Sequence, residues 1–165
     1  GNLSYVPNVE AAKFISKKIF PLLQEKVPNI KILISGSNPS KKVLRLSNEN
    51  IKVTGWIDDI RETYCSGKVF FAPMSLGSGL QNKLLEAMSL GIPCITSNLC
   101  NESLGATHMK NIIIGNSVEQ YISQILNILS KPELISEIGK NGREFVNKKF
   151  CWESSNKIRM EILKR

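Results

Sequence analysis

Residues 69–95 read VFFAPMSLGSGLQNKLLEAMSLGIPCI, and their pattern decides the fold. Val69, Phe70, Phe71 and Ala72 form a short apolar run, as strands buried on both faces do. A glycine-rich turn through Gly77 and Gly79 follows, then an amphipathic helix carrying Leu84, Leu85, Glu86, Ala87 and Met88, then a second apolar strand at Cys94 and Ile95. Strand, helix and strand make one βαβ unit, the building block of a parallel sheet. The first turn of such a helix leaves amides unpaired, and the helix dipole favours negative charge beside them. Gly77 and Gly79 let the backbone approach an oxyanion with no Cβ in the way. Helical side chains lean toward the N-terminus, so Glu86, about two turns along, can reach a sugar hydroxyl beside that phosphate. A phosphate with a polyol beside it is the outline of a nucleotide-sugar.

The same alternation extends outward in both directions. Strands are predicted at 31–35, 51–54, 69–72, 94–96 and 111–114, each short and rich in Ile or Val. A first helix begins at Asn8, an N-cap residue, with Val9, Ala12, Ile15, Ile19, Leu22 and Leu23 on one face, and Pro21 kinks or ends it. Asp58 and Asp59 start a short helix through Tyr64, and 117–129 is amphipathic. Pro132 opens a further helix, and Trp152 opens a last one as a packing residue. The expected fold is a doubly wound α/β parallel sheet, with residues 77–80 at the carboxyl end of its central strands, where ligands of open sheets bind. Gly36 and Ser37, after the first predicted strand, take an equivalent place on that rim. Asn8 is an N-cap, either a plain one or one placed near phosphate.

At 165 residues the chain is read as a single domain, with 42% hydrophobic and 22% charged residues. No apolar stretch approaches the ~20 residues of a membrane-spanning helix. The net charge of +8 favours anionic partners. A pyrophosphate ligand and an anionic membrane surface both fit. Nucleic acid is not expected, because the lysines are scattered and no basic run is interleaved with aromatics. Cys65, Cys94, Cys100 and Cys151 show no metal-like or redox-like spacing, which indicates a reduced, cytoplasmic setting, with the inner membrane face as a peripheral contact. Cys94 reads as a small buried hydrophobe, and His108, in a polar loop with no acid to orient it, as structural or incidental.

The segment ending in Glu86, Ala87 and Met88, followed by Gly91, Pro93, Cys94 and Ile95, resembles the donor-binding motif of retaining glycosyltransferases of family 4, group 1, which have the GT-B fold. The wording GxGxQNKxLEAM, with the opening GNLSYVPN, is similar to a branch that acts in exopolysaccharide assembly. The resemblance implies the C-terminal, nucleotide-sugar-binding half of a larger two-domain enzyme, cut at or within its first strand. It implies that Glu86 binds the ribose hydroxyls of the donor. The turn of Gly77, Ser78, Gly79 and Leu80 would hold the sugar or the phosphates through main-chain amides.

The chain departs from the family pattern at three positions. A first acid is usual eight residues before the second, and Ser78 stands there. An Arg and a Lys usually bind the pyrophosphate after the first strand, and Asn2 and Pro7 stand there. Lys83, beside Asn82 in the QNK triplet, is the substitute cation or else a surface lysine. The sequence Gly55, Trp56, Ile57 resembles the base-binding loop, with Trp56 either flanking the base or anchoring the core. Residues 100–104 match a loop beside the donor sugar, which makes Asn101, Glu102 and Ser103 candidate binders. No metal or other cofactor is implied, because no carboxylate pair is placed to bridge a diphosphate-bound cation. The expected parent enzyme moves a sugar from UDP or GDP to a polysaccharide or lipid-linked acceptor, its N-terminal domain holding the acceptor. The alternatives are a degenerate binding module without catalysis and, more remotely, a basic nucleic-acid-binding domain.

Overall fold

A computed structural model describes residues 1–77 and 79–150, and within them strands and helices alternate as the apolar runs predict. Ser78 and the helix expected from Trp152 lie outside the described residues. The helices are α1 (Val6–Phe14), α2 (Phe20–Lys26), α3 (Lys41–Leu44), α4 (Ile60–Cys65), α5 (Asn82–Ser89), α6 (Asn98–Leu104), α7 (Val118–Leu129) and α8 (Pro132–Phe150). The strands are β1 (Ile32–Ile34), β2 (Ile51–Val53), β3 (Phe70–Ala72), β4 (Cys94–Thr96) and β5 (Ile113–Ile114). All pairings between them are parallel.

The strands form two ladders, β1–β2 and β3–β4–β5. β4 is therefore central to its ladder and β3 is its outer strand, where a central place was expected. Between the loops that leave β1 and β3 lies the opening segment. Asn2 bridges Ser37 beyond β1, while the Pro7 ring and the Tyr5 hydroxyl lie within 4 Å of where a Cβ on Gly77 would be. The expected strand 111–114 is shorter, because the Asn111 carboxamide accepts from the Thr107 amide at 2.7 Å and closes a turn before Ile113.

Side chains on alternate faces of β3, β4 and β5 enter two separate cores. Ala72, Cys94 and Ile112 pack with Tyr64, Leu84, Ala87, Met88, Cys100 and Leu104 from α4, α5 and α6. On the opposite face Ile95 and Ile113 pack with Ile19 and Leu23 and with Tyr121, Ile125 and Ile128 of α7. Helices thus cover both faces, and β4 is wholly buried. Cys94, fully buried, is the small hydrophobe its strand implied. α8 reaches both cores through Ile138 and Val146. It comes so close to the end of α5 that a Cβ on Gly139 would collide with the Gly91 carbonyl.

The first helix differs from its sequence reading at both ends. It starts at Val6, not at Asn8, because Pro7 sits in the first turn, where its fixed φ suits a helix and its missing N–H costs no bond. Pro21 does not end the helical run, which continues through α2 to Lys26. A π-helical turn, Ile15–Ile19, precedes the proline and widens the backbone around Lys17, the residue whose carbonyl a proline ring at position 21 would strike.

Candidate functional site

α5 builds the site. Its buried stripe, Leu84, Ala87 and Met88, anchors it on the sheet and leaves Asn82, Lys83 and Glu86 on the open side. The turn before it needs its glycines: Gly77 has φ +96° and Gly79 φ +90°, a region L side chains enter at a cost. Two buried hydroxyls fix the loop that leads from β3 toward this turn. Thr96 Oγ1 donates to the Ala72 carbonyl at 2.8 Å and Ser97 Oγ to the Met74 carbonyl at 2.6 Å, which clamps the exit of β3 onto β4.

The result is a cleft of about 510 Å³, within the usual range for small-molecule sites. Eight of the site residues named from the sequence line it: Asn8, Gly36, Ser37, Trp56, Ile57, Asn82, Lys83 and Glu86. Gly77, Gly79 and Leu80 do not line it, though Tyr5, against Gly77, does. Asn101 and Glu102 also stand apart from it. Their segment is not a loop but helix α6, which Ser97 caps by accepting from the Cys100 amide. The Asn101 carboxamide is spent on residue 106, donating to its carbonyl at 2.9 Å and accepting from its amide at 3.1 Å.

Lys83 lies in the first turn of α5 and is partly buried. Its ammonium donates to Asn8 Oδ1 at 2.7 Å and approaches Met74 Sδ at 3.3 Å, both neutral acceptors. It forms no ion pair among the described residues. Burial pulls the ammonium below the ordinary lysine value. Asn8, which is not an N-cap, acts as the bracket: its Nδ2 donates to the Asn2 carbonyl at 2.8 Å while its Oδ1 holds Lys83. Lys83 is thus held at the cleft by two neutral partners and does not extend freely into solvent.

Glu86 does not pair with Lys83 one turn back. Its Oε2 accepts from the Tyr64 hydroxyl at 2.8 Å, and among the described residues its carboxylate makes no other bond. Trp56 is 77% exposed, so it anchors no core. Its indole N–H donates to Asp58 Oδ1 at 3.2 Å, which holds the ring at the cleft wall. Gly36 has a structural reason to be glycine: a Cβ there would collide with the Gly1 carbonyl. His108 is structural, its Nδ1 accepting from the Ile114 amide at 2.9 Å.

Sequence reasoning missed Tyr64, Asp58 and Gln81 as lining residues. One signal for Tyr64 was available, since a tyrosine on the buried face of a short helix needs a partner for its hydroxyl. That the partner is Glu86, 22 positions away, is a product of tertiary packing. No cluster of three or more His, Cys, Asp or Glu side chains suited to a metal ion occurs among the described residues, and no described helix is long and apolar enough to cross a membrane.

Comparison with known proteins supplies the family. The family model described as glycosyl transferases group 1 matches residues 1–131. An uncharacterised 44.6 kDa protein of the cps region of Klebsiella pneumoniae is 24% identical, the match covering 99% of this chain and 44% of that protein. The UDP-Gal:alpha-D-GlcNAc-diphosphoundecaprenol alpha-1,3-galactosyltransferase of Escherichia coli is 30% identical over 74% of this chain and 34% of its own length. HepE of Anabaena, solved in complex with UDP and glucose, has a TM-score of 0.73 at 14% identity, over 88% of this chain and 43% of HepE. The chain thus spans less than half the length of each. With its α/β fold and with the match over residues 1–131, the chain belongs to the group 1 glycosyl transferases.

Proposed function

We propose that this chain is the donor-binding, C-terminal half of a retaining glycosyltransferase that moves a sugar from a UDP- or GDP-sugar to a polysaccharide or lipid-linked acceptor. One observation carries the reading: Lys83, a partly buried cation with only neutral partners, shares a cleft with the carboxylate of Glu86 on the same helix. A cation desolvated without an acid is costly unless an anion completes it. The diphosphate fills that role, with the Asn82 and Lys83 end of α5 lending its unpaired amides.

The ribose diol then faces Glu86, which accepts two charge-assisted hydrogen bonds, and the base lies against the exposed face of Trp56. As the bond to the sugar breaks, charge grows on the departing diphosphate, and Lys83 stabilises it in place of the usual Arg and Lys. This reading needs no divalent cation. The acceptor site and the polar groups that face the anomeric carbon belong to an N-terminal domain of the same enzyme. The galactosyltransferase of Escherichia coli and the cps-region protein, both similar in sequence, support a polymer-building role. UDP in the similar fold of HepE supports a uridine nucleotide.

Ser78 in place of the first acid favours a second reading, a nucleotide-binding module without catalysis. Calorimetric titration of this chain with UDP, GDP and ADP, in EDTA, tests the donor site. The expected outcome is binding of UDP or GDP and no sugar transfer by this chain alone. Silence toward all three nucleotides would contradict the site, and turnover by this chain alone would contradict the division of labour. Transfer by the two-domain parent separates enzyme from module.

A further inference from the structure

We propose that Tyr64 is a positioning residue for the donor: its hydroxyl holds one oxygen of the Glu86 carboxylate so that the other faces the ribose diol. The inference rests on the ribose role assigned to Glu86 above. Tyr64 is well placed for this task. It lies near the end of α4, a helix whose start is capped by the Asp59 carboxylate accepting from the Arg61 amide at 2.9 Å. Its ring is buried among Ala72, Leu84, Ala87 and Met88 and meets Phe70 edge-on, with centroids 5.2 Å apart. A ring packed in this way cannot follow a moving partner, so the partner is held instead.

Tyr64 and Glu86 both line the cleft, and the Tyr64 hydroxyl donates to Glu86 Oε2 at 2.8 Å. A glutamate side chain has three rotatable bonds, and ordering them on ligand binding opposes affinity. With Oε2 tethered, the carboxylate plane is set before the nucleotide arrives. The tether leaves the charge intact, because tyrosine gives a hydrogen bond and keeps its proton. Burial, and then the bond to Glu86, pushes the phenol well above its ordinary value, so it remains a donor throughout the neutral range.

Three variants, Tyr64→Phe, Glu86→Gln and the double substitution, test the proposal by calorimetry with UDP and with 2′,3′-dideoxy-UDP. Tyr64→Phe keeps the ring in the core, and a thermal melt checks the fold. It should weaken UDP about 3- to 10-fold, the scale of ordering one flexible side chain on binding, and leave the dideoxy nucleotide unchanged. Added to Glu86→Gln, it should cause little further loss, since the tether then holds nothing of use. Equal weakening of both nucleotides by Tyr64→Phe would mark a structural role and overturn the proposal. So would unaltered UDP binding in Tyr64→Phe while Glu86→Gln is impaired. If Glu86→Gln itself binds UDP as the parent does, the ribose assignment fails first and the tether falls with it.

Discussion

The cleft at the start of α5 and the groove between α2 and α7 enclose the same volume, about 510 Å³, and differ in almost everything else. The groove is floored by Leu22, Val118, Ile122 and Leu126, with Glu25, Lys26 and Glu119 at its edge. The cleft holds a partly buried lysine bracketed by Asn8, a glutamate tethered by Tyr64 and a tryptophan steadied by Asp58. Volume alone does not make a site. What separates the two is that polar groups in the cleft are oriented and left with unused bonding capacity, and that one of them, Lys83, is a partly desolvated cation, which costs stability unless an anion offsets it.

The contrast breaks most readily at Lys83. Replacing it by Met should weaken UDP by about 2–3 kcal/mol, the upper range for hydrogen bonds to a charged group, and leave uridine almost unaffected. Parallel titrations of the two ligands check this, and equal loss for both would move the phosphates elsewhere. Trp56→Ala should cost about 1–3 kcal/mol for nucleotides, the scale of base–aromatic stacking, and spare inorganic pyrophosphate. Fluorescence anisotropy of a labelled nucleotide, with pyrophosphate as competitor, measures both.

A third outcome concerns pH and has a defined sign. The Lys83 ammonium deprotonates below the ordinary 10.5, first because of burial. Below its lowered value the lysine is charged in both folded and unfolded chains, and the burial penalty is present in full. Between that value and 10.5 the unfolded chain holds more protons, so folding stability rises with pH as diphosphate affinity falls. Denaturant melts and titrations across this window should show the two trends opposed, and Lys83→Met should abolish both. The smallest effect belongs to the groove: Ile122→Ser should alter nucleotide affinity by less than about 0.5 kcal/mol, as distant independent sites do. A larger loss would show that the groove shares in the site.

The sequence displayed the core of this comparison in residues 69–95, because the short apolar runs of β3 and β4 and the helical stripe of α5 are local properties. Gly77 and Gly79 were legible for the same reason, each being demanded by its own φ. α6 carried its signals too, Ser97 before it and Gly105 after it, but likeness to a family loop outweighed them. Asn8 misled because an asparagine near a helix start caps many helices, whereas Pro7 moved this start two residues earlier. The bonds from Lys83 to Asn8 and from Tyr64 to Glu86 span 75 and 22 positions, and no local pattern records which polar tips meet across a cleft. The split of the strands into two ladders was likewise a matter of tertiary placement.

The most direct test of the cleft as the nucleotide site is an NMR titration of this chain with UDP, read at the Trp56 indole N–H and at backbone amides. The account predicts that the Trp56 indole signal and the amides of Asn82, Lys83 and Glu86 shift together in a saturable way, while those of Val118, Ile122 and Leu126 stay in place. Shifts confined to the α7 residues, or none at millimolar UDP, would contradict it.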